Sequence, residues 1–315
     1  MSGVPATLRA YVDLSRLANT PTCVTNVLTG CAIATVAVMG AVPGVGAVPG
    51  VGAVPGVGVV GRIEPLRAAA VTVAVLLMYV AGMVFNDVVD HAWDSRFRPE
   101  RPIPSGRISR RGAFCCAAVS LALGLAILGL LSTETLAVGL VLAACIVGYD
   151  LVHHRTSLSV VLMGLCRGLV YPLAALAVAG VVDVWVAGWL GGALAVYIAA
   201  VTFLARRESE GDAGSWRWLS IVLPLIVLAP AAVVRPQEWL WTILAAAALI
   251  AWLLRGVSFV LQKQPRIFRA VGLWLSGICL VDCLYLTLLD QPAAAALAFG
   301  CFALTTFTQR YVPAT

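Results

Sequence analysis

Apolar residues run in this chain for stretches of about 20 residues, the length of helix that a bilayer core demands. Such stretches fall at 22–41, 68–89, 112–131, 135–152, 159–181, 183–204, 217–234, 238–256, 269–289 and 292–309, the last one short and alanine-rich. In lipid, backbone N–H and C=O groups must be satisfied within their own segment, so these stretches are helices. The pattern predicts an all-α, polytopic transmembrane bundle of nine or ten helices in a single domain over 1–315. Only a few residues separate stretches five and six, seven and eight, and nine and ten, which predicts helical hairpins. Composition agrees: 61% of residues are hydrophobic and 11% charged, against about 45–50% and 25% in soluble domains. Those figures exclude a soluble domain, a disordered chain and a coiled coil. They also exclude a nucleic-acid binder, despite the net charge of +6.

Two features carry little chemistry. The nine cysteines lie in or beside apolar runs with no CxxC pair, and free cysteine packs as a small hydrophobe. Residues 41–58 read AVPGVG three times. Proline and glycine at that spacing suit successive turns and no membrane helix, so the segment is expected to be a flexible loop. Residues 1–20 are polar and lack a signal-peptide layout.

Charge sorts by side. Seventeen of the 21 Lys and Arg fall in the N-terminal segment and in the loops after even-numbered stretches. Three, Arg62, Arg67 and Arg235, fall on the other side, and Arg167 lies inside stretch five. Basic residues stay cytoplasmic, so the N-terminus and the even loops are expected inside, at the plasma (inner) membrane.

The acids are concentrated as well. Asn86, Asp87, Asp90 and Asp94 stand where stretch two runs out. Helical phase puts all four within about 100° of one another. Carboxylates crowded on one face repel, and divalent metal resolves the repulsion. Mg²⁺ takes few carboxylates together with phosphate oxygens. A solvated helix end with chance acids is the bland alternative. The next loop carries Arg98-Pro99, Glu100 and Arg101-Pro102-Ile103-Pro104-Ser105-Gly106-Arg107. Arginine forks suit phosphate and proline pre-aims them, so acids and arginines together point to a diphosphate site.

Asn86-Asp87-x-x-Asp90-x-x-x-Asp94 followed by Arg98-Pro99 and Arg101-Pro102-Ile103-Pro104-Ser105-Gly106 resembles the first aspartate-rich motif of the UbiA superfamily of membrane prenyltransferases. Helix number and order are similar too. Tyr149-Asp150 with His154-Arg155 falls where the family often has tyrosine and a Lys-Arg pair, with His154 in the lysine's place. Met163–Leu169 and Tyr197–Thr202 resemble a less characterised EboC-like branch. The second aspartate motif should follow stretch six. It is not intact there, and Glu208, Glu210 and Asp212 remain.

The resemblance implies a helical fold around a central cavity that binds an isoprenyl diphosphate through Mg²⁺ and passes the prenyl group to an aromatic or other lipophilic acceptor within membrane lipid. On that reading Asn86, Asp87, Asp90 and Asp94 hold metal, with Glu208 and Asp212 as further candidates. Arg98, Arg101 and Arg155 clamp diphosphate. Tyr149, Tyr171 and Tyr197 are candidate π faces for a carbocation, although tyrosine also lines membrane interfaces. Arg167 and Asp282 are ionisable groups inside apolar runs and need partners. Either they pair with each other, or Arg167 reaches the diphosphate while Asp282 shapes the acceptor pocket. Asn26, with Arg16 and Asn19 before it, is a further cavity candidate. Two other functions stay open: a terpene cyclase that needs no acceptor, and a non-catalytic lipid carrier or transporter.

Overall fold

The structure, a computed structural model, describes residues 6–40, 64–209, 216–262 and 264–310. The 41–58 loop, Asp212 and the side chain of Glu208 lie outside the described residues. Among the described residues fourteen α-helices follow in chain order: α1 Ala6–Ser15, α2 Thr20–Gly40, α3 Pro65–Val89, α4 His91–Phe97, α5 Arg110–Leu131, α6 Thr133–Val152, α7 Ser159–Gly168, α8 Val170–Ala179, α9 Val184–Ser209, α10 Leu223–Leu228, α11 Trp239–Val260, α12 Ile267–Ser276, α13 Ile278–Leu288 and α14 Pro292–Thr308. No strand occurs among the described residues. Among the described residues eight helical spans are long and apolar enough to cross a membrane, and Arg217–Ala232 and Pro292–Thr308 are shorter apolar helical segments. All ten expected stretches are therefore helical.

Burial separates pillars from walls. Every residue of α13 is buried, and α2 is mostly enclosed. On α5 only Ala113, Ala117, Gly124 and Leu128 are buried, and Leu123 and Leu130 stand exposed. Helices apolar on all sides can take either place, because lipid and core are equally apolar. Two spans are interrupted. Leu169 separates α7 from α8, and Gly277 separates α12 from α13.

The polar N-terminal segment also folds. On α1, Ala10 and Leu14 are i, i+4 neighbours and pack with Val84, Val88, Ile103 and Ile108. This brings the chain before the first span beneath the Arg-Pro loop.

Small residues let α7 and α9 approach closely. A Cβ on Gly168 of α7 would lie 2.5 Å from the Gly191 carbonyl oxygen of α9, and one on Gly164 would meet the Ala195 carbonyl. Close backbone approach is how small residues bind membrane helices together. Gly168→Val should therefore lower stability by about 2–3 kcal/mol through overpacking. The unfolding midpoint of purified protein in detergent reads this. Gly192→Val, with open space at its Cβ, should change little.

Candidate active site

The acidic end of α3 continues helically into α4. Asp90 N–H donates to Asn86 C=O at 2.9 Å and Asp94 N–H to Asp90 C=O at 2.8 Å. The four polar side chains share a face, yet they meet different partners. Asp87 Oδ1 accepts from Arg101 Nη1 at 3.2 Å and from Arg16 Nη2 at 3.4 Å. Asp94 Oδ2 accepts from the same Arg101 nitrogen at 2.8 Å. Asn86 Nδ2 donates to Asp150 Oδ1 at 3.1 Å. Asp90 Oδ1 lies 2.8 Å from His154 Nε2 and 3.2 Å from His153 Nε2.

This arrangement splits the expected metal set. Asp87 and Asp94 are buried and already converge on one cation, the Arg101 guanidinium. A pair of hard carboxylate oxygens of this kind fits Mg²⁺. Asp90 instead faces two imidazoles. Burial works to raise its carboxyl, but the hydrogen bonds and charge of His153 and His154 outweigh burial and hold it below the usual range. His153 shows the mirror image: burial works to lower the imidazole, and the Asp90 carboxylate carries it above its usual value.

Local structure positions the cations. The loop after α4 turns back through hydrogen bonds from Arg101 N–H to Arg98 C=O and from Ser105 N–H to Arg101 C=O. Ile103 is buried with α1, so Arg101 is set over the acids. Arg16 adopts φ 45° and ψ 48°, a left-handed conformation uncommon outside glycine. Its carbonyl accepts from Tyr79 Oη at 3.2 Å and Asn19 N–H at 3.0 Å. Arg98 and Arg155 are exposed and make no side-chain ion pair among the described residues. The end of α9 joins the same mouth, because Arg206 Nη1 donates to the carbonyls of His153 and Thr156 at 2.5 and 2.6 Å.

Behind the mouth a largely apolar cavity opens between α2, α3, α6, α7 and α8, with Tyr79, Met83, Ile146, Tyr149 and Arg167 in its wall. Along α3 it runs from Met83 to Val75, a length of about 12 Å at 1.5 Å per residue. Of the three expected tyrosines only Tyr149 lines it. Tyr197 is buried and donates to the Trp274 carbonyl at 2.8 Å, and Tyr171 donates to Asp282 Oδ1 at 2.6 Å. Tyr79, unforeseen, takes the second aromatic place.

Arg167 and Asp282 form no direct ion pair. Asn26 stands between them, its Nδ2 donating to Asp282 Oδ2 at 2.8 Å and its Oδ1 accepting from Arg167 Nη1 at 3.3 Å. Arg167 also contacts Cys23 Sγ at 3.2 Å and lies 5.4 Å from the Tyr79 ring centroid. Asp282 further accepts from Thr25 and Thr29 at 2.5 and 2.9 Å. The expected pocket role thus divides: Arg167 reaches the cavity and Asp282 sits in the wall behind it.

His153 escaped the sequence reading. The available signal was its i, i+3 spacing from Asp150, which puts both on one helix face.

Comparison with known proteins places this geometry in context. A family model described as the UbiA prenyltransferase family matches residues 47–271. A digeranylgeranylglyceryl phosphate synthase of Methanoregula boonei is 43% identical over 75 residues, covering 24% of this chain. That match spans 27% of the relative's length, about a quarter. A 4-hydroxybenzoate octaprenyltransferase of Idiomarina loihiensis is 28% identical over 216 residues, covering 61% of this chain and 76% of the relative. A UbiA homologue of Archaeoglobus fulgidus, solved bound to GPP and Mg²⁺, superposes with a TM-score of 0.60 at 14% identity, over 93% of this chain and 99% of that one. At that identity the likeness is one of fold.

Proposed function

The chain belongs to the UbiA prenyltransferase family, and we propose that it transfers an isoprenyl group from an isoprenyl diphosphate to an aromatic or other lipophilic acceptor, with Mg²⁺, at a cytoplasm-facing mouth in the plasma membrane. One observation carries the reading: the buried carboxylates of Asp87 and Asp94 converge on a single cation, Asp87 one helical turn along α3 from Met83 in the wall of an apolar cavity that two tyrosines also line. The A. fulgidus homologue bound to GPP and Mg²⁺ supports the donor and the metal. The name of the I. loihiensis relative supports an aromatic acceptor. Basic residues concentrated on one side support the orientation.

Mg²⁺ held by Asp87 and Asp94 would supply positive charge to the leaving diphosphate. Arg98 and Arg155, exposed beside the acids, close on phosphate oxygens with bidentate forks. Arg101 and Arg16 lend further positive charge at the same rim. Loss of diphosphate leaves an allylic carbocation on the prenyl chain, which lies down the cavity. The faces of Tyr79 and Tyr149 stabilise that cation, and the apolar wall keeps water from capturing it. Asn86 holds Asp150, and Asn26 holds Arg167 toward the cavity.

Purified protein in liposomes with Mg²⁺ and radiolabelled geranyl, farnesyl or geranylgeranyl diphosphate, with and without aromatic acceptors, tests this. Acceptor-dependent prenylated product is expected. Hydrocarbon or alcohol formed without acceptor would replace the reading by a cyclase, and no diphosphate release would leave a carrier.

A further inference from the structure

We propose that the groove between α11, α13 and α14 binds a phospholipid with a primary ammonium head group. One hydrocarbon chain fills the groove, and the ammonium sits between Glu238 and Asp290. The site lies apart from the acids of α3 and α4 and is independent of the prenyl-transfer reading.

Small side chains open the groove. Ala245 and Ala248 of α11 line it together with Cys283 of α13 and Ala295 and Ala296 of α14. One helical turn beyond Ala248 and Phe299, the rings of Trp252 and Phe302 meet edge to face with centroids 4.8 Å apart, so α11 and α14 touch there. From that contact the groove runs back along Trp241–Ala248 and Pro292–Phe299, about 10 Å on each helix at 1.5 Å per residue. Its lining is almost wholly apolar. An apolar slot holds no stable water, and an empty one forfeits dispersion contacts along its walls. At bilayer depth a hydrocarbon chain supplies them.

The open end passes into a polar mouth. Groove and mouth share Trp241, Thr287 and Pro292, and the mouth adds Gln237, Glu238 and Asp290. Asp290 takes φ 55°, a left-handed conformation uncommon outside glycine. Its Oδ1 accepts from Gln237 N–H at 2.9 Å, which pins the start of α11 to the end of α13. Neither the Asp290 nor the Glu238 carboxylate forms an ion pair among the described residues. Trp239 and Trp241 stand exposed beside them, as aromatic side chains do at head-group level. The far end of α14 meets the first span, where Gln309 Nε2 donates to Asn19 Oδ1 at 3.2 Å. The mouth is therefore at the end of the bundle opposite the acids of α3.

Two carboxylates without a cation at head-group level select a charged donor. A primary ammonium offers three N–H donors, and hydrogen bonds between ionised partners are the strong ones. Arg235, exposed and two residues before Gln237, brings a cation for the lipid phosphate. Acids and arginine together complement a zwitterionic head.

Full-length protein in detergent, stripped of lipid, is titrated with dioleoyl phosphatidylethanolamine, phosphatidylcholine and phosphatidylglycerol and read by native mass spectrometry. The chains are identical, so only the head differs. Phosphatidylcholine lacks the N–H donors, and phosphatidylglycerol lacks the cation. One saturable site for the ethanolamine lipid is expected, at least about tenfold tighter than for either other lipid, the scale of a hydrogen bond to a charged group. Glu238→Gln with Asp290→Asn should erase that preference. Asparagine tolerates the left-handed conformation and keeps an acceptor for the Gln237 N–H, so this variant should fold. Ala248→Phe with Ala296→Phe should fill the groove and remove the site for all three lipids. Thermal midpoints in lipid-free detergent confirm that both variants are folded. No saturable site, equal binding of the three lipids, or a preference unchanged in the folded acid variant overturns the proposal and leaves ordinary contact with the bilayer. Binding retained by the folded groove-filled variant overturns it as well.

Discussion

Asp87→Asn is expected to slow Mg²⁺-dependent diphosphate release by roughly 10²–10³-fold, the scale seen when one electrostatic element is removed from a charged transition state. The substitution keeps the shape of a buried side chain and removes only its charge. Asp87 is the residue on which Arg16 and Arg101 both close, so the loss takes the carboxylate from Arg16 and leaves Arg101 with Asp94. A cation held between Asp87 and Asp94 would lose half its carboxylate set. Asp94→Asn should fall by a similar factor. The double variant should fall by less than the product of the two, because both residues serve one ion. Arg98→Ala should behave differently: exposed and outside the acid pair, it should raise KM more than it lowers kcat. Single-turnover release of labelled diphosphate at saturating Mg²⁺ measures all four. Release by Asp87→Asn within about threefold of the parent would remove the acid pair from the reaction.

The positions of these acids were legible and their partners were not, for a physical reason. Helical phase is local, and 100° per residue is enough to place Asn86, Asp87, Asp90 and Asp94 on one face. The continuing hydrogen bonds through Asp90 preserve that phase. Partners are non-local. Arg16 arrives before the first span, Arg101 from a returning loop, and His153 from the end of α6. Identical phase therefore gave no warning that Asp90 would part company with its neighbours. Arg16 depends on α1, whose Ala10 and Leu14 are too small an apolar pattern to stand out in a polar segment. The membrane spans were easier, because length and hydropathy alone define them. Their rotation was not. Tyr149, Tyr171 and Tyr197 are equal as sequence, and only helix packing turned the first to the cavity and the other two into the core.

Asp282 carries the largest expected effect on stability. Its carboxylate is fully buried and accepts four hydrogen bonds, from Thr25, Asn26, Thr29 and Tyr171. An ionised carboxylate offers about four acceptor sites, so donors and acceptors match. These bonds tie α13 to α2 and α8, the enclosed centre of the bundle. Interhelical hydrogen bonds in membranes average about 0.6 kcal/mol and reach about 1.7. Asp282→Leu should therefore cost roughly 2–4 kcal/mol. The threonines can turn instead to the Thr22 and Thr25 carbonyl oxygens, 3.1 and 3.2 Å from the Thr25 and Thr29 hydroxyls. Asn26 and Tyr171 lose a bond without that recourse, and they dominate the loss. Asp282→Asn keeps one acceptor and should cost less than half as much. Because Asn26 also holds Arg167, the leucine variant that remains folded should bind prenyl diphosphate more weakly, and Arg167→Ala should show the weakened binding without the full loss of stability. Denaturant unfolding in micelles gives the first quantity and KM for the diphosphate gives the second. An Asp282→Leu protein within about 0.5 kcal/mol of the parent would show that the carboxylate does not hold these helices together.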